Sequence, residues 1–272
     1  MKIPFTKAHG ARNDFVLTWR DRLPPELSGS GAADFAAAAV AICDRHAGVG
    51  ADGWILFARG GGSAEATIEL WNSDGSRSEM SGNGTRCAAA LLIDAGGDGE
   101  QVSIATGAGL KRLRLLQRRG PTFFFEMNMG RAVIEELHAT AEGRGAVILN
   151  VGNPQCAVLV EHFNFDWQAM GARLSRDRRF PNGTNVSFVR VIDRHAIDVR
   201  FFERGAGETM SSGTGSTGAA AAVRARGLVD TPVRALTPAG PLGVRWDGED
   251  ILLTGPAEIV AAGEFYWEGK QP

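Results

Sequence analysis

Two segments half a chain apart repeat the same pattern, and this repeat constrains the fold more than any other feature of the sequence. The first has a strand-like run, IELWN (68–72), then a polar loop and SGNGTRCAAA (81–90). The second has DVRFFER (198–204) and then SGTGSTGAAA (212–221). Placing Ser81 on Ser212, an offset of 131 in a chain of 272 residues, aligns the glycines and alanines that follow. Segments rich in glycine and alanine also align through composition alone, but the shared order of strand, loop and helix favours a duplication.

The repeat predicts an α+β chain of two similar domains, with a sheet wrapped around a central helix in each. Helices are expected over 32–44, 84–95 and 216–226, with a less distinct one at 167–175, among many strand-like runs. We expect one domain to comprise residues 1–118 plus 258–272 and the other residues 119–257. The polar stretch QRRGP (117–121) is the predicted linker. Two facing halves would place Ser81 and Ser212 on opposite walls of one cleft.

Composition excludes several classes of function. The 29 basic and 31 acidic residues give a net charge of −2, without the basic surface that nucleic-acid binding needs. The longest apolar run, residues 35–43, is too short to cross a membrane, and the N-terminus lacks an apolar signal core. The three cysteines do not form a disulfide framework, so we expect a cytoplasmic protein. The five histidines show no metal-ligand spacing, so no metal site is predicted.

The glycine-rich loops of the repeat each lead directly into a predicted helix. The start of a helix presents unpaired backbone N–H groups and the positive end of the helix dipole, and both attract an anion. Neither loop has the lysine and serine or threonine of a phosphate-binding loop, so a phosphate site is disfavoured. Two such helix starts are suited to binding a carboxylate.

Polar side chains stand where the predicted strands end or begin. They are Asn13, Asn72, Asn153, Asn185, Glu203 and Arg204. Amides can serve both poles of an amino acid, a glutamate binds its ammonium group and an arginine its carboxylate. A single turn asparagine is more often a local backbone cap, but the group as a whole predicts recognition of a zwitterionic amino acid.

With these motifs the chain resembles the diaminopimelate epimerase family. The matching stretches, in order, are KAHGARNDF (7–15), CDRHAGVGADG (43–53), NSDGS (72–76), GNGTRC (82–87), GNP (152–154), TNV (184–186), ERGAGET (203–209) and GTG (213–215). The resemblance implies two similar domains with the active site in the cleft between them. It implies cofactor-independent inversion at an amino-acid α-carbon, most directly between LL- and meso-diaminopimelate, in the synthesis of lysine and peptidoglycan precursors. A homodimer is the candidate assembly, and the oligomeric state is left open.

The resemblance also assigns roles to individual residues. It implies side-chain contacts to a small amino-acid substrate from Asn13, Asn72, Asn153, Asn185, Glu203 and Arg204. It implies backbone contacts from Gly82, Asn83, Gly213 and Thr214.

The chain departs from the family at the catalytic positions. In the family a cysteine thiolate removes the α-proton on one face while a second thiol returns a proton on the other. Ser81 and Ser212 stand at those two positions, and Gln155 stands where a histidine is expected. A serine hydroxyl has a pKa roughly 5 units above that of a thiol, which corresponds to about 7 kcal/mol in forming the base.

Three explanations of the serines remain open. They are engineered, to trap substrate without turnover; or they are natural and activated by a neighbouring group for this or another reaction; or the protein is a natural relative that binds an amino acid without epimerising it. Loss of both cysteines together with the histidine favours natural divergence. The intact loops indicate that ligand binding survives in each case.

Overall fold

The computed structural model describes residues 1–29, 31–97 and 99–269. The chain forms two compact units, and their boundaries in the sequence lie after Glu126 and before Pro256. Unit 1 consists of Met1–Glu126 with the chain from Pro256 onward, and unit 2 is Met127–Gly255. Within the residues that the structure describes, no helix is both long and apolar enough to span a membrane.

Unit 1 is a mixed sheet with helices packed on it. Its strands are β1 (Lys2–Gly10), β2 (Asn13–Trp19), β3 (Gly53–Arg59), β4 (Ala66–Asn72), β5 (Arg77–Ser78), β6 (Gln101–Thr106), β7 (Gly109–Arg119) and the start of β8 (Thr122–Gly130). Its helices are α1 (Pro25–Ser28), α2 (Ala32–Cys43) and α3 (Gly82–Asp94), with a 3-10 turn at Arg20–Arg22. The end of the last strand, β17 (Asp250–Tyr266), pairs antiparallel with β1.

Unit 2 has the same kind of sheet. Its strands are the end of β8, then β9 (Val133–Ala141), β10 (Arg144–Asn150), β11 (Pro154–Leu159), β12 (Asn185–Asp193), β13 (Ala196–Glu203), β14 (Gly207–Thr209), β15 (Val233–Thr237), β16 (Gly240–Asp247) and the start of β17. Its helices are α4 (Trp167–Leu174) and α5 (Gly213–Ala225).

The two units repeat one order of strand pairing. In unit 1, β1–β2 is antiparallel, β2–β3 parallel, β3–β4 and β4–β5 antiparallel, β4–β6 parallel and β6–β7 antiparallel. In unit 2, β10–β11, β11–β12, β12–β13, β13–β14, β13–β15 and β15–β16 follow with the same directions in the same order. This agreement confirms the duplication predicted from the sequence.

The glycine- and alanine-rich helices are the most buried helices of their units. Residues 82–92 of α3 are all buried, and α3 contacts β1, β2, β4 and β6. The close approach depends on glycine: a Cβ on Gly10 of β1 would lie 3.1 Å from the Asn83 Cα atom, and one on Gly215 of α5 would lie 2.7 Å from the Phe201 ring. Small residues therefore let the first turn of each helix reach the strands that carry the polar side chains.

A second helix covers another face of each sheet with larger apolar side chains. In unit 1, Phe35 of α2 packs against Trp54 and Trp71, with ring centroids 6.2 Å from each. In unit 2, Trp167 of α4 packs against Phe188 at 5.8 Å. These apolar clusters stabilise the two sheets. The residues at the starts of α3 and α5 lie outside them, among polar groups.

Two predictions about the chain are corrected by the structure. The linker at residues 117–121 is wrong, because its first three residues end β7 and Gly120–Pro121 form the turn into β8. The charged sequence of β7 resembles a linker because most of its side chains are exposed. Helices α3 and α5 begin earlier than residues 84 and 216 because Ser81 and Ser212 cap them, which makes Gly82 and Gly213 their first residues.

Candidate active site

Ser81 is the N-cap of α3. Its backbone is extended (φ −129°, ψ 125°) and its Oγ accepts a hydrogen bond from the Gly84 N–H at 3.1 Å. Gly82 and Asn83 are the first two residues of the helix, where backbone N–H groups lack partners within the helix. Within residues 1–29, 31–97 and 99–269, the Gly84 N–H is the one hydrogen-bond partner of the Ser81 Oγ.

Asn13 and Asn83 are joined beside this helix start. Asn83 Nδ2 donates to Asn13 Oδ1 at 3.0 Å, and Asn13 Nδ2 donates to Asp52 Oδ2 at 2.7 Å. Asn83 in turn accepts a hydrogen bond on Oδ1 from the Nη2 of Arg86. The structure therefore brings two of the predicted site residues into direct contact, and it adds Asp52 and Arg86 to them.

Asn72 makes its hydrogen bonds within its own loop. Its Nδ2 donates to the Ser76 Oγ at 2.9 Å, and its backbone N–H donates to the Ser76 carbonyl at 2.8 Å. Asn72 ends β4, the strand that the repeat aligns with β13. Its hydrogen bonds stabilise the turn that leads towards α3.

Ser212 caps α5 as Ser81 caps α3, but it has an additional partner. Its backbone is extended (φ −133°, ψ 125°), and its Oγ accepts from the Gly215 N–H at 3.0 Å. The same Oγ donates to Glu203 Oε2 at 2.9 Å, and Thr209 Oγ1 donates to Glu203 Oε1 at 2.7 Å. Ser212 is 3% exposed. A buried hydroxyl hydrogen-bonded to a carboxylate can pass its proton to that carboxylate as it takes up another.

Asn153 and Asn185 are the predicted site asparagines of unit 2. Asn153 Nδ2 donates to the Thr214 Oγ1 at 3.4 Å, and Asn153 Oδ1 accepts from Gln155 Nε2 at 2.7 Å. Asn185 Oδ1 accepts from the backbone N–H of Arg204 at 3.1 Å. Gly213 and Thr214 are the first two residues of α5. The polar residues predicted in this half are thus joined to the helix start or to the end of β13.

The Arg204 side chain makes a hydrogen bond to a backbone carbonyl. Its Nη1 donates to the Asn182 carbonyl at 2.8 Å, and the residue is exposed. Together with Glu203 and Arg176 it lines a cavity of about 620 Å³ in unit 2.

The three cysteines are buried and unpaired, as predicted. Burial raises the pKa of Cys43 to about 12, that of Cys87 to about 12 and that of Cys156 to about 11. Their thiols are therefore neutral at physiological pH, and none of them replaces a catalytic thiolate.

The predicted site residues around Ser81 and around Ser212 form one half-site in each unit. Sequence reasoning missed three residues that contact them, Asp52, Arg86 and Thr209. Arg86 lies inside the GNGTRC motif and is fully buried, and its charge in an otherwise small and apolar helix was the available signal. Thr209 lies 131 residues after Ser78, so the repeat could have indicated it. Gln155 was noted as a departure from the family, and its contact with Asn153 comes from the structure.

Solved structures place the fold in a known class. The PhzF-family phenazine biosynthesis protein of Bacillus anthracis matches with a TM-score of 0.74 at 16% identity, covering 97% of this chain and 99% of that one. A hydroxyproline epimerase from Agrobacterium vitis matches with a TM-score of 0.66 at 15% identity, covering 97% and 92%. The fold is therefore the one shared by PhzF-family proteins and this epimerase.

Sequence comparison defines the family within that class. The family model for diaminopimelate epimerase matches residues 5–135 and 147–260. The diaminopimelate epimerase of Pelotomaculum thermopropionicum is 35% identical over 282 residues, covering 96% of this chain and 98% of that protein. That of Xanthomonas axonopodis pv. citri is 36% identical over 284 residues, covering 97% and 96%. The chain belongs to the diaminopimelate epimerase family, as the resemblance predicted.

Proposed function

We propose that this protein inverts the α-carbon of an amino acid without a cofactor, most directly between LL- and meso-diaminopimelate, by proton transfer at Ser81 and Ser212. The hydrogen bond between Ser212 Oγ and Glu203 Oε2, 2.9 Å long at the start of α5, carries the proposal. It gives a buried hydroxyl a carboxylate to receive its proton. Family membership and the matching position of Ser81 at the start of α3 support it.

The proposed step balances as follows on the Ser212 side. The α-carbon–hydrogen bond breaks, the proton moves to Ser212 Oγ, and the hydroxyl proton of Ser212 moves to Glu203. The electron pair left on the α-carbon spreads into the carboxylate of the substrate. On the opposite face, Ser81 donates its hydroxyl proton to the α-carbon. The cycle is complete once Glu203 releases its extra proton to solvent and Ser81 takes up a proton.

Charge stabilisation in this proposal comes from the two helix starts. The backbone N–H groups of Gly82, Asn83, Gly213 and Thr214 belong to the first turns of α3 and α5. Such groups, with the positive end of the helix dipole, stabilise negative charge that develops on a carboxylate during the reaction. They need no reorganisation, because the helices hold them in place.

Substrate recognition is assigned to the amides and to the end of β13. We propose that Arg204 binds a carboxylate and Glu203 an ammonium group, while Asn13, Asn72, Asn153 and Asn185 contact the rest of the substrate. The cavity beside Arg204 supports a ligand with a second charged end, as diaminopimelate has. A cytoplasmic role in making lysine and peptidoglycan precursors follows from that substrate.

A second candidate function is amino-acid binding without turnover. It is favoured by Ser81, whose Oγ has the Gly84 N–H as its one hydrogen-bond partner among the described residues and therefore no base. Forming an alkoxide from serine costs about 7 kcal/mol more than forming a thiolate from cysteine. Of the two serines, Ser212 has a carboxylate that offsets part of this cost.

Incubation with each stereoisomer of diaminopimelate in D₂O separates the two candidates. The epimerase proposal predicts deuterium at the α-carbon together with the opposite configuration in the product, and loss of both with Ser212→Ala. Binding without turnover predicts a calorimetric signal with no deuterium in any isomer. If neither binding nor exchange occurs with diaminopimelate, while another amino acid is deuterated, the assigned substrate is wrong.

A further inference from the structure

Arg86 is a buried cation without a carboxylate partner. It is 0% exposed, and none of the ion pairs found among the described residues includes it. Its Nε donates to the Pro256 carbonyl at 3.1 Å, and its Nη2 donates to Asn83 Oδ1. Its Nη1 has no hydrogen-bond partner in the part of the chain that the structure describes. Burial lowers the pKa of Arg86 to about 10, so it stays protonated at neutral pH. Burying an unpaired charge is costly, and a residue that keeps one is expected to contribute something besides stability.

Hydrogen bonds run from Arg86 to Asp52 in a single direction. Arg86 donates to Asn83, Asn83 donates to Asn13, and Asn13 donates to Asp52. A guanidinium can only donate and an ionised carboxylate can only accept. Both amides in between must therefore point one way, since reversing either would place two donors or two acceptors against each other.

The far end of this chain of hydrogen bonds is also held in place. Asp52 Oδ1 accepts from Arg45 Nη2 at 2.7 Å, and Asp52 Oδ2 accepts from the Asp14 N–H at 3.1 Å as well as from Asn13. Asp52 thus keeps its orientation without help from Asn13. The Asn13 amide therefore lies between a fixed donor, the Nδ2 of Asn83, and a fixed acceptor, the Oδ2 of Asp52.

Unit 2 has no such constraint at the equivalent place. Asn153 lies between Gln155 and Thr214, and an amide and a hydroxyl can each donate or accept. The position that the 131-residue offset pairs with Arg86 is Thr217, whose Oγ1 donates to the Gly213 carbonyl of its own helix at 2.8 Å. The Asn153 amide can therefore turn over to suit a ligand, whereas the Asn13 amide cannot.

We infer that Arg86 is a positioning residue that sets the orientation of the Asn13 amide through Asn83. The ligand then meets one N–H and one carbonyl oxygen of Asn13 in fixed places. This inference rests on the proposed function for the identity of its ligand, but the direction of the hydrogen bonds is independent of that function. Binding in the wrong amide orientation would leave a buried group unpaired, which disfavours it by about tenfold or more.

The test compares Arg86→Met, Arg86→Lys and, as a matched control on the other helix, Thr217→Val. Methionine keeps the length of the side chain but removes every donor, while lysine keeps a cation that only donates. The probe is diaminopimelate, with its Kd measured by calorimetry. The side-chain amide signals of Asn13, Asn83 and Asn153 are followed by ¹⁵N-resolved NMR in the ligand-free protein, and the unfolding midpoint is measured for each variant.

We expect Arg86→Met to raise the Kd at least tenfold and to shift the amide signals of Asn13 and Asn83, but not those of Asn153. Its unfolding midpoint should stay the same or rise, because an unpaired buried charge is removed. Arg86→Lys should restore most of the affinity, and Thr217→Val should keep it. Unchanged affinity and unchanged Asn13 signals in Arg86→Met would overturn the inference. If the parent protein does not bind diaminopimelate, the proposed substrate is wrong, and the NMR signals of the ligand-free variants still decide the role of Arg86.

Discussion

The half-sites of units 1 and 2 share a backbone and differ in charge. Ser81 and Ser212 cap equivalent helices with nearly the same φ and ψ. At the position where unit 2 has Glu203, the 131-residue offset places Asn72 in unit 1. Only Ser212 therefore donates to a carboxylate. Both halves therefore keep the same helix start, whereas, among the described residues, a carboxylate that accepts from the capping serine is found in one.

The half-site of unit 1 contains a buried cation. Its buried cation, Arg86, acts on the amides of Asn83 and Asn13 and does not contact Ser81. Unit 2 has neutral Thr217 at that position and an adaptable amide at Asn153. We interpret unit 1 as the half with the rigid amide and unit 2 as the half with the more reactive serine.

The largest effect is expected from giving both halves a thiol, which ionises far more readily than a serine hydroxyl. Ser81→Cys together with Ser212→Cys should raise α-deuterium exchange into diaminopimelate by about 10³-fold or more, since thiolates recover most of roughly 7 kcal/mol. Either single replacement should raise inversion much less, because inversion needs one group on each face. The rates are measured by NMR in D₂O.

The matched control is the double replacement Ser81→Ala and Ser212→Ala, which removes both hydroxyls. It should abolish exchange and cost about 0.5–2 kcal/mol of stability for each lost cap. A double cysteine variant no faster than the parent would show that the free-energy cost of forming the base does not limit the reaction.

Removing the carboxylate from unit 2 should have the next largest effect. Glu203→Gln keeps an oxygen that can accept from Ser212 but cannot take its proton, so α-deuterium exchange should fall by about 10²-fold. Glu208→Gln, an exposed carboxylate on the neighbouring strand β14, should change the rate by less than about twofold. Equal rates for both variants would mean that Glu203 is not the proton acceptor.

The comparison can be sharpened by placing a carboxylate in unit 1. Asn72→Glu puts glutamate at the position equivalent to Glu203 and should speed the slower face of the reaction. The measurement is the ratio of inversion to exchange for each isomer of diaminopimelate. An unchanged ratio in a variant that still folds and binds would show that the two positions are not functionally equivalent.

A smaller effect, on binding alone, is expected at Arg204. Arg204→Ala should weaken diaminopimelate binding by about 10- to 100-fold, the usual value of a charge-assisted hydrogen bond. Arg176→Ala, which lines the same cavity, is the control and should bind nearly as the parent does. Calorimetry measures both, and parental affinity in Arg204→Ala would remove this residue from the carboxylate site.

Much of this fold was predictable because the glycines and alanines of the repeat align between the two halves of the sequence. The offset between Ser81 and Ser212 predicted two equivalent helix starts, and the structure has both. The linker could not be predicted, because an exposed strand such as β7 carries charges on both faces and resembles a loop in sequence. The functions proposed for the site residues stay predictions, as their hydrogen bonds show contact but not turnover.

The hydrogen bonds that distinguish the two halves could not be predicted from the sequence, for a physical reason. Which acceptor Ser212 contacts depends on the turn between β13 and α5, which brings Glu203 and Thr209 together. The role of Arg86 depends on burial and on the carbonyl of Pro256, which is 170 residues away along the chain. A contact between residues as far apart in sequence as Arg86 and Pro256 leaves no local pattern.

The smallest effect is expected at the native cysteines. With pKa values of about 11 to 12 and full or nearly full burial, Cys43, Cys87 and Cys156 should resist iodoacetamide and the treated protein should keep its activity. Mass spectrometry of the treated protein checks this. The double cysteine variant is the positive control, which should take up label at the partly exposed position 81. Labelling of a native cysteine in the folded parent would contradict the assignment.

The most direct test of the unequal half-sites is the stereochemical course of α-deuteration in the parent protein. Each isomer of diaminopimelate is incubated in D₂O, and deuterium incorporation with retention is compared with incorporation with inversion at early times. We predict that retention exceeds inversion for the isomer whose α-proton faces Ser212, because Glu203 exchanges its proton with solvent and returns deuterium before Ser81 acts. Equal retention and inversion for every isomer, or the absence of deuterium in all of them, would contradict the claim that the Ser212 side exchanges its proton faster than the Ser81 side.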